Sequence, residues 1–332
     1  MTQPSVKTTF DTSLEEVRNP YTTDQGFSSS SSTLPSLPSH ILPNSQIGSI
    51  PFRDLSTTET YDAWASTYDS DGNILQAVDD IQLADGLLDE VLALCREGAA
   101  DGDRDLVLLD LGCGTGRNTR KLLTAAMQMD AREVRGVTVR GVDASEAMLE
   151  VARAKLRDAL GGLKRQQQRV DADADTATTT TTAPALKLEL EQADLLTTGL
   201  PGGYTATAHL VLSTLVLEHF PLDTFFSVLD KALKPNGVAL VSNMHPDMGA
   251  STQAGFVNGA GERVRGWSAV HGIDETVGAA QRNWFDVLSV REGSVERSML
   301  DGGLVGRRGE KWVGRKVWYG VVLRKGRGCE GS

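Results

Sequence analysis

Three glycines at alternate positions, Gly112, Gly114 and Gly116, follow the apolar run 106–111, with Asp110 two residues ahead of the first. Glycine adopts backbone angles closed to other residues and leaves no side chain in a ligand's way. Such a turn, between a strand and a helix N-terminus, lets a ligand approach the backbone. Asp143 closes the next apolar run, 137–142. An acid at the end of a second strand can accept hydrogen bonds from both hydroxyls of a ribose. Asp110 adds a sign: a carboxylate there repels a pyrophosphate and attracts a cationic ligand.

Other residues offer proton chemistry. His219, in Leu217-Glu218-His219-Phe220, follows the fourth expected strand, and His245, in Asn243-Met244-His245-Pro246-Asp247, follows the fifth. Carboxyl ends of parallel strands converge on the ligand crevice, and imidazole titrates near neutrality. Both are therefore candidates for the base that takes a proton from an acceptor. His271 sits near Arg263, Arg265 and Trp267 in a glycine-rich stretch expected to cover the substrate. His209 is read as a structural position. A metal held by His245, Asp247 and His271 lacks tight ligand spacing, so no metal is expected. Tyr61, Trp64 and Tyr68 recur at helical spacing and can form an aromatic wall over the ligands.

The elements needed to position these groups alternate. Expected strands at 106–111, 137–142, 186–190, 209–212 and 238–242 are separated by helices at 117–129, 145–160 and 222–233. A further amphipathic helix is expected over 81–97. This is the α/β pattern of a mainly parallel sheet. Residues 286–290 and 318–324 are expected to add an antiparallel pair at its far side. Residues 1–55 read as a flexible or wrapping extension, and 56–332 as one domain. That domain carries a low-complexity insertion at 161–185 and a substrate-cover insertion at 244–280.

The string Asp110-Leu-Gly-Cys-Gly-Thr-Gly116 resembles the first motif of class I S-adenosylmethionine-dependent methyltransferases. The likeness continues beyond it. Asp143-Ala144-Ser-Glu-Ala-Met148 is similar to the segment whose acid holds the adenosyl ribose and whose Ala144 and Met148 neighbourhood borders the adenine. Gln192-Ala-Asp194-Leu195-Leu resembles the third motif, whose acid meets the adenine amino group. Leu233-Lys-Pro-Asn-Gly237 resembles the turn before the fifth strand. Tyr61-Asp-Ala-Trp-Ala-Ser-Thr-Tyr-Asp69 resembles the N-terminal lid of the UbiE-like, or type 11, small-molecule branch. The likeness spans about residues 60–245. One departure is Ala208-His209-Leu210-Val211, where the family usually carries an acid.

The resemblance implies a Rossmann-like fold with a mainly parallel seven-stranded sheet and an antiparallel C-terminal hairpin. It implies S-adenosyl-L-methionine as cofactor, held by Asp110, Gly112, Gly114, Gly116, Asp143, Ala144, Met148, Asp194, Leu195 and Ser213. The expected acceptor is a small aromatic or otherwise hydrophobic metabolite of specialised metabolism, with O-methylation favoured. Tyr61, Trp64, Tyr68 and His271 are expected to contact it. Two alternatives stand beside this reading: a methyltransferase fold recruited to cyclisation or elimination, and a non-catalytic partner subunit. An NAD enzyme is disfavoured by Asp110.

Composition sets the remaining bounds. A net charge of -11 over 332 residues disfavours nucleic acid as a partner, although the stretch 315–327 is locally basic. Three cysteines, Cys95, Cys113 and Cys329, give neither a disulfide framework nor a metal pair. No apolar run long enough to span a membrane occurs, and no leader is recognisable at Met1, so a cytoplasmic monomer or homodimer is expected.

Overall fold

The computed structural model describes residues 52–99, 103–173, 183–252, 255–258 and 260–326. The serine-rich stretch 27–40 and the threonine run 178–182 lie outside them.

The chain enters through strand β1 (Phe52–Asp54) and helix α1 (Thr57–Trp64). A reciprocal capping box starts α1: Glu59 N–H donates to Ser56 Oγ, and Ser56 N–H donates to the Glu59 carboxylate. Helices α2 (Ile74–Gln82) and α3 (Leu88–Gly98) flank a wide turn at 83–87. The single helix expected over 81–97 is therefore interrupted. The physical reason is Gly86, which takes φ +83 and turns the chain there while Leu83 and Leu87 stay buried.

The alternating core follows: β2 (Asp105–Leu111), α4 (Arg117–Met127), β3 (Gly136–Asp143), α5 (Glu146–Asp173), β4 (Ala185–Gln192), β5 (Ala208–Thr214), α6 (Leu222–Ala232) and β6 (Leu233–Met244). Helix α5 continues past its expected end at residue 160. The residues there include Leu, Lys, Arg and Gln, all good helix formers, so low complexity did not break the helix. The chain then forms α7 (Pro246–Gly249), β7 (Gly255–Val257), β8 (Arg263–Arg265), α8 (Ile273–Arg282), β9 (Phe285–Ser294), α9 (Arg297–Asp301) and β10 (Lys316–Lys325).

Seven strands form one sheet in the order β4-β3-β2-β5-β6-β10-β9. The first five are parallel, and β10 is antiparallel to both β6 and β9. This is the Rossmann-like α/β fold anticipated from the sequence. Apolar side chains on the sheet's two faces pack under helices: Leu108, Val139 and Leu240 on one side, Leu109, Val211 and Val241 on the other. The strand order reverses between β2 and β5, which opens a crevice at their carboxyl ends.

A second, three-stranded sheet joins β1 to β8 in parallel and β8 to β7 antiparallel. It ties residues 52–54 to the glycine-rich stretch after β6. A small apolar cluster of Trp64, Ala65, Met148, Phe256 and Val264 seals this layer against α5. The Trp64 and Phe256 rings stack at 5.0 Å with an interplanar angle of 9°. Among the described residues, no helix is long and apolar enough to cross a membrane.

Candidate active site

The glycine turn after β2 is built by left-handed backbone. Gly112, Gly114 and Gly116 have φ of +76, +52 and +78. A Cβ on Gly112 would lie 2.3 Å from Val216 Cγ2, so packing alone excludes any larger residue there. A Cβ on Gly114 would meet nothing within 4 Å, because that residue faces open space. The Asp143 carboxylate braces the turn by accepting from Gly114 N–H at 2.8 Å and from Ser145 N–H at 2.9 Å. Loss of surrounding water raises its pKa, and those backbone bonds partly offset the rise.

A cavity of about 300 Å³ opens above this turn. Its walls include Gly112, Gly114, Asp143, Ala144, Met148, Asp194 and Leu195. Seven of the ten residues anticipated for the cofactor are thus brought together. The other three lie behind the wall. Asp110 is buried, accepts from Thr119 Oγ at 2.6 Å on α4, and is pushed up to about 6 by burial. Ser213 Oγ donates to Leu111 C=O at 2.9 Å. Gly116 packs against Ala152 and Leu156. In each case the strand or turn register turns the residue into the core, which spacing along the chain does not reveal.

The aromatic helix closes one side. Tyr61 and Tyr68 line the cavity, together with Ser56, Thr57 and Thr58. Three ties hold this segment down. Ser145 Oγ donates to Asp62 at 2.6 Å, Thr115 Oγ donates to Asp69 at 2.6 Å, and Lys155 Nζ donates to Asp69 at 2.7 Å. The glycine turn and α5 thus position the segment that covers them.

A second cavity of about 450 Å³ adjoins the first. Tyr61, Tyr68 and Leu215 line both. Leu215 has φ +59, a left-handed angle that costs a non-glycine residue roughly 1–2 kcal/mol. Its N–H donates to Ser242 C=O at 2.9 Å, which pins it between the cavities. Trp64, Ile74, Met244, Met248 and Trp312 give the second cavity an apolar body, while Arg307, Arg308 and Lys311 put cations on its wall. The contribution of 307–312 was not foreseen. Its signal was the compact string Arg307-Arg308-Gly-Glu-Lys311-Trp312, in a region assigned no element.

His219 stands at the junction, on a single 3-10 turn at 217–219, and lines the first cavity. Its Nδ1–H donates to Trp267 C=O at 2.9 Å, which leaves Nε2 to accept from Tyr61 O–H at 2.8 Å. Burial depresses its pKa and so disfavours the imidazolium form. Beside it, Glu218 lines the second cavity and is 5% exposed. Burial pushes its carboxyl up to about 7, and Oε2 has no hydrogen-bond partner among the described residues. Sequence reasoning quoted Glu218 only as the neighbour of His219.

The remaining histidines go elsewhere. His245 caps α7, accepting from Asp247 N–H at 3.1 Å, and its Nε2 pairs with Glu292 at 3.1 Å. It lines neither cavity: β6 ends one residue earlier, and the chain turns the ring toward β9. His271 Nε2 donates to Phe220 C=O at 3.0 Å. With the Ala269 N–H to Glu218 C=O bond of 2.7 Å, it clips residues 269–271 onto the 218–220 turn without lining either cavity. His209 lies at the opposite end of β5, accepting from Val107 N–H at 3.0 Å and donating to Asp103 at 2.8 Å. Among the described residues no group of three His, Cys, Asp or Glu is placed to hold a metal.

Sheet order, glycine turn and braced acid together define the class I S-adenosylmethionine-dependent methyltransferase fold. The methyltransferase domain family matches residues 109–239. The chain is 36% identical over 280 residues, 80% of its length and 90% of the relative's, to an uncharacterised methyltransferase of Emericella nidulans. The chain belongs to that methyltransferase family. An uncharacterised methyltransferase of Bacillus licheniformis is 37% identical over 98 residues, 29% of this chain and 37% of the relative. Among solved structures, a Mesorhizobium loti S-adenosylmethionine-dependent methyltransferase is 21% identical over 70% of this chain and 96% of that one, with a TM-score of 0.41. The [4+2]-cyclase SpnF is 16% identical over 84% and 99%, with a TM-score of 0.48.

Proposed function

We propose that the protein transfers a methyl group from S-adenosyl-L-methionine to a small aromatic or otherwise hydrophobic metabolite, with oxygen the favoured acceptor atom. It acts as a cytoplasmic member of the UbiE-like small-molecule branch. The observation that carries this reading is the pair of adjoining cavities with Tyr61, Tyr68 and Leu215 in common. Transfer of a methyl group needs a donor and an acceptor held in line, and little further machinery.

The first cavity fits the cofactor. Each Asp143 oxygen already accepts one backbone N–H and keeps a second acceptor site for a ribose hydroxyl. Met148, Ala144 and Leu195 offer a flat apolar slot for a base, and Asp194 an acceptor at its edge. Bound there, the cofactor supplies an electrophilic methyl group. The second cavity fits the acceptor: Trp64, Met248 and Trp312 can hold a flat apolar body. His219 acts on Tyr61, holding its ring at the junction through the O–H bond.

The test is mass spectrometry of the purified protein with methyl-labelled S-adenosylmethionine and a metabolite extract of its own organism. A labelled small product, with demethylated cofactor in equal amount, is the expected result. Cofactor binding without labelled product would move the reading to a recruited fold or a partner subunit.

A further inference from the structure

The turn between β5 and α6 holds a carboxylate for which the fold itself has no use. Glu218 is buried on the wall of the second cavity, and its Oε2 meets no donor among the described residues. Buried polar groups are normally paired, and one left open at a cavity wall points to a ligand that completes it. His219 Nε2 is 3.5 Å from Glu218 Oε1, but that nitrogen carries no proton while Tyr61 donates to it. Both His219 nitrogens are thus occupied, so its imidazole has no free lone pair to take a proton.

We propose that Glu218 takes the proton from the atom that is methylated, and that the acceptor therefore presents an un-ionised O–H or N–H to this carboxylate. The proposal rests on the methyl-transfer reading above. In the step, the acceptor's proton moves to Glu218 Oε2 while the freed lone pair forms the bond to the methyl carbon. The carbon–sulfur bond breaks and its electron pair stays on sulfur. One negative charge on Glu218 and one positive charge on the donor disappear together. A neutral imidazole base would instead end as a buried cation, which a water-poor site disfavours.

The surroundings of Glu218 permit this. Tyr61, Tyr68 and Tyr319 feel its charge, from α1, the segment after it and β10. His219 neighbours it on its own turn, and Asp71, Arg307, Arg308, Glu310 and Lys311 share its cavity. Burial alone holds Glu218 at about 7, so an approaching cation favours its ionised form.

The experiment uses the full chain and two probes, S-adenosylmethionine and its neutral demethylated product, titrated calorimetrically into wild type and Glu218→Gln at about pH 6 and about pH 8. Wild type is expected to prefer the charged probe increasingly as pH rises. Glu218→Gln should lose roughly tenfold of that preference, as expected for unit charges on the order of 10 Å apart, with affinity for the neutral probe unchanged. Turnover of the extract's labelled product should fall about 10²–10⁴-fold in Glu218→Gln. Glu218→Asp should recover part of it.

Unchanged preference in Glu218→Gln overturns the proposal and leaves the methyl-transfer reading standing. Lost preference with full turnover also overturns it, since the carboxylate would then attract charge without moving a proton. Failure of wild type to bind either probe overturns the underlying reading instead. Should Glu218→Gln not fold, a pH-independent preference in wild type between about pH 6 and about pH 8 refutes the proposal.

Discussion

Asp143→Ala removes an acid that serves the fold and the proposed ligand at once, and the two effects are separable. In the fold, its oxygens accept from Gly114 N–H and Ser145 N–H. Leaving two amides without that partner costs about 1–3 kcal/mol each where water cannot replace it. Asp143 is half-buried, so solvent can take up part of that loss, and removal of a carboxylate whose pKa is raised by desolvation returns another part. The net stability cost should therefore be about 1–3 kcal/mol. Toward the ligand, each oxygen has one remaining acceptor site for a hydroxyl. Two charge-assisted hydrogen bonds at about 1.5–3 kcal/mol each give at least ~3 kcal/mol, or roughly a hundredfold in Kd. Isothermal titration with S-adenosylmethionine reads the affinity, and a thermal melt of the same sample reads the fold. Asp143→Asn, which keeps one carbonyl acceptor, should fall between. An affinity within about threefold of wild type in a folded Asp143→Ala protein would refute the ribose assignment.

Other perturbations test the frame around the site. Asp79 is fully buried and bonded to Arg117, Asn118, Ser242 and Trp318, so Asp79→Ala should lose about 3–5 kcal/mol and on the order of 10 °C in Tm. Burial opposes ionisation of Asp79, but Arg117 and the Ser242 and Trp318 bonds outweigh it and lower the pKa below 3.8. Its contribution is therefore complete above about pH 4 and lost as pH falls through the depressed value; an acid unfolding series should show less of this loss in Asp79→Asn. Gly112→Ala drives a methyl into Val216 and should destabilise by about 2–5 kcal/mol, whereas Gly114→Ala meets open space and should cost about 1–2 kcal/mol while still weakening cofactor binding. Met248→Trp fills the second cavity alone and should raise KM for the acceptor with calorimetric affinity for the cofactor unchanged.

The seven strands of the main sheet and helices α4, α5 and α6 were legible because each buries a short apolar run bounded by turn residues, a signal contained within a dozen positions, whereas the short strands β1, β7 and β8 carry no such run and were not foreseen. The same locality made Gly112, Gly114, Asp143, Ala144, Met148 and Asp194 readable as candidates: the glycines follow β2, Asp143 ends β3, Ala144 and Met148 carry the chain into α5, Asp194 follows β4, and the parallel sheet aligns those strand ends. Helix breaks were less readable. Gly86 interrupts a pattern that is apolar on one face throughout, and residues 161–173 stay helical despite a composition typical of loops.

By itself the sequence determined the doubly flanked parallel sheet, the glycine turn and the acid that braces it, since those depend on local conformation and on strand ends meeting. Only the tertiary structure decided which side chains face the cavities. Asp110 turns into the core under Thr119, and Ser213 turns to the Leu111 carbonyl, His245 to Glu292 on β9 and His271 to the Phe220 carbonyl, the last three because orientation depends on partners far along the chain. The same packing set Glu218 rather than His219 free, and brought 307–312 to the wall facing Tyr61 and Trp64 across more than two hundred residues of chain. Spacing carries no record of such meetings; they exist only once burial has chosen who stands beside whom.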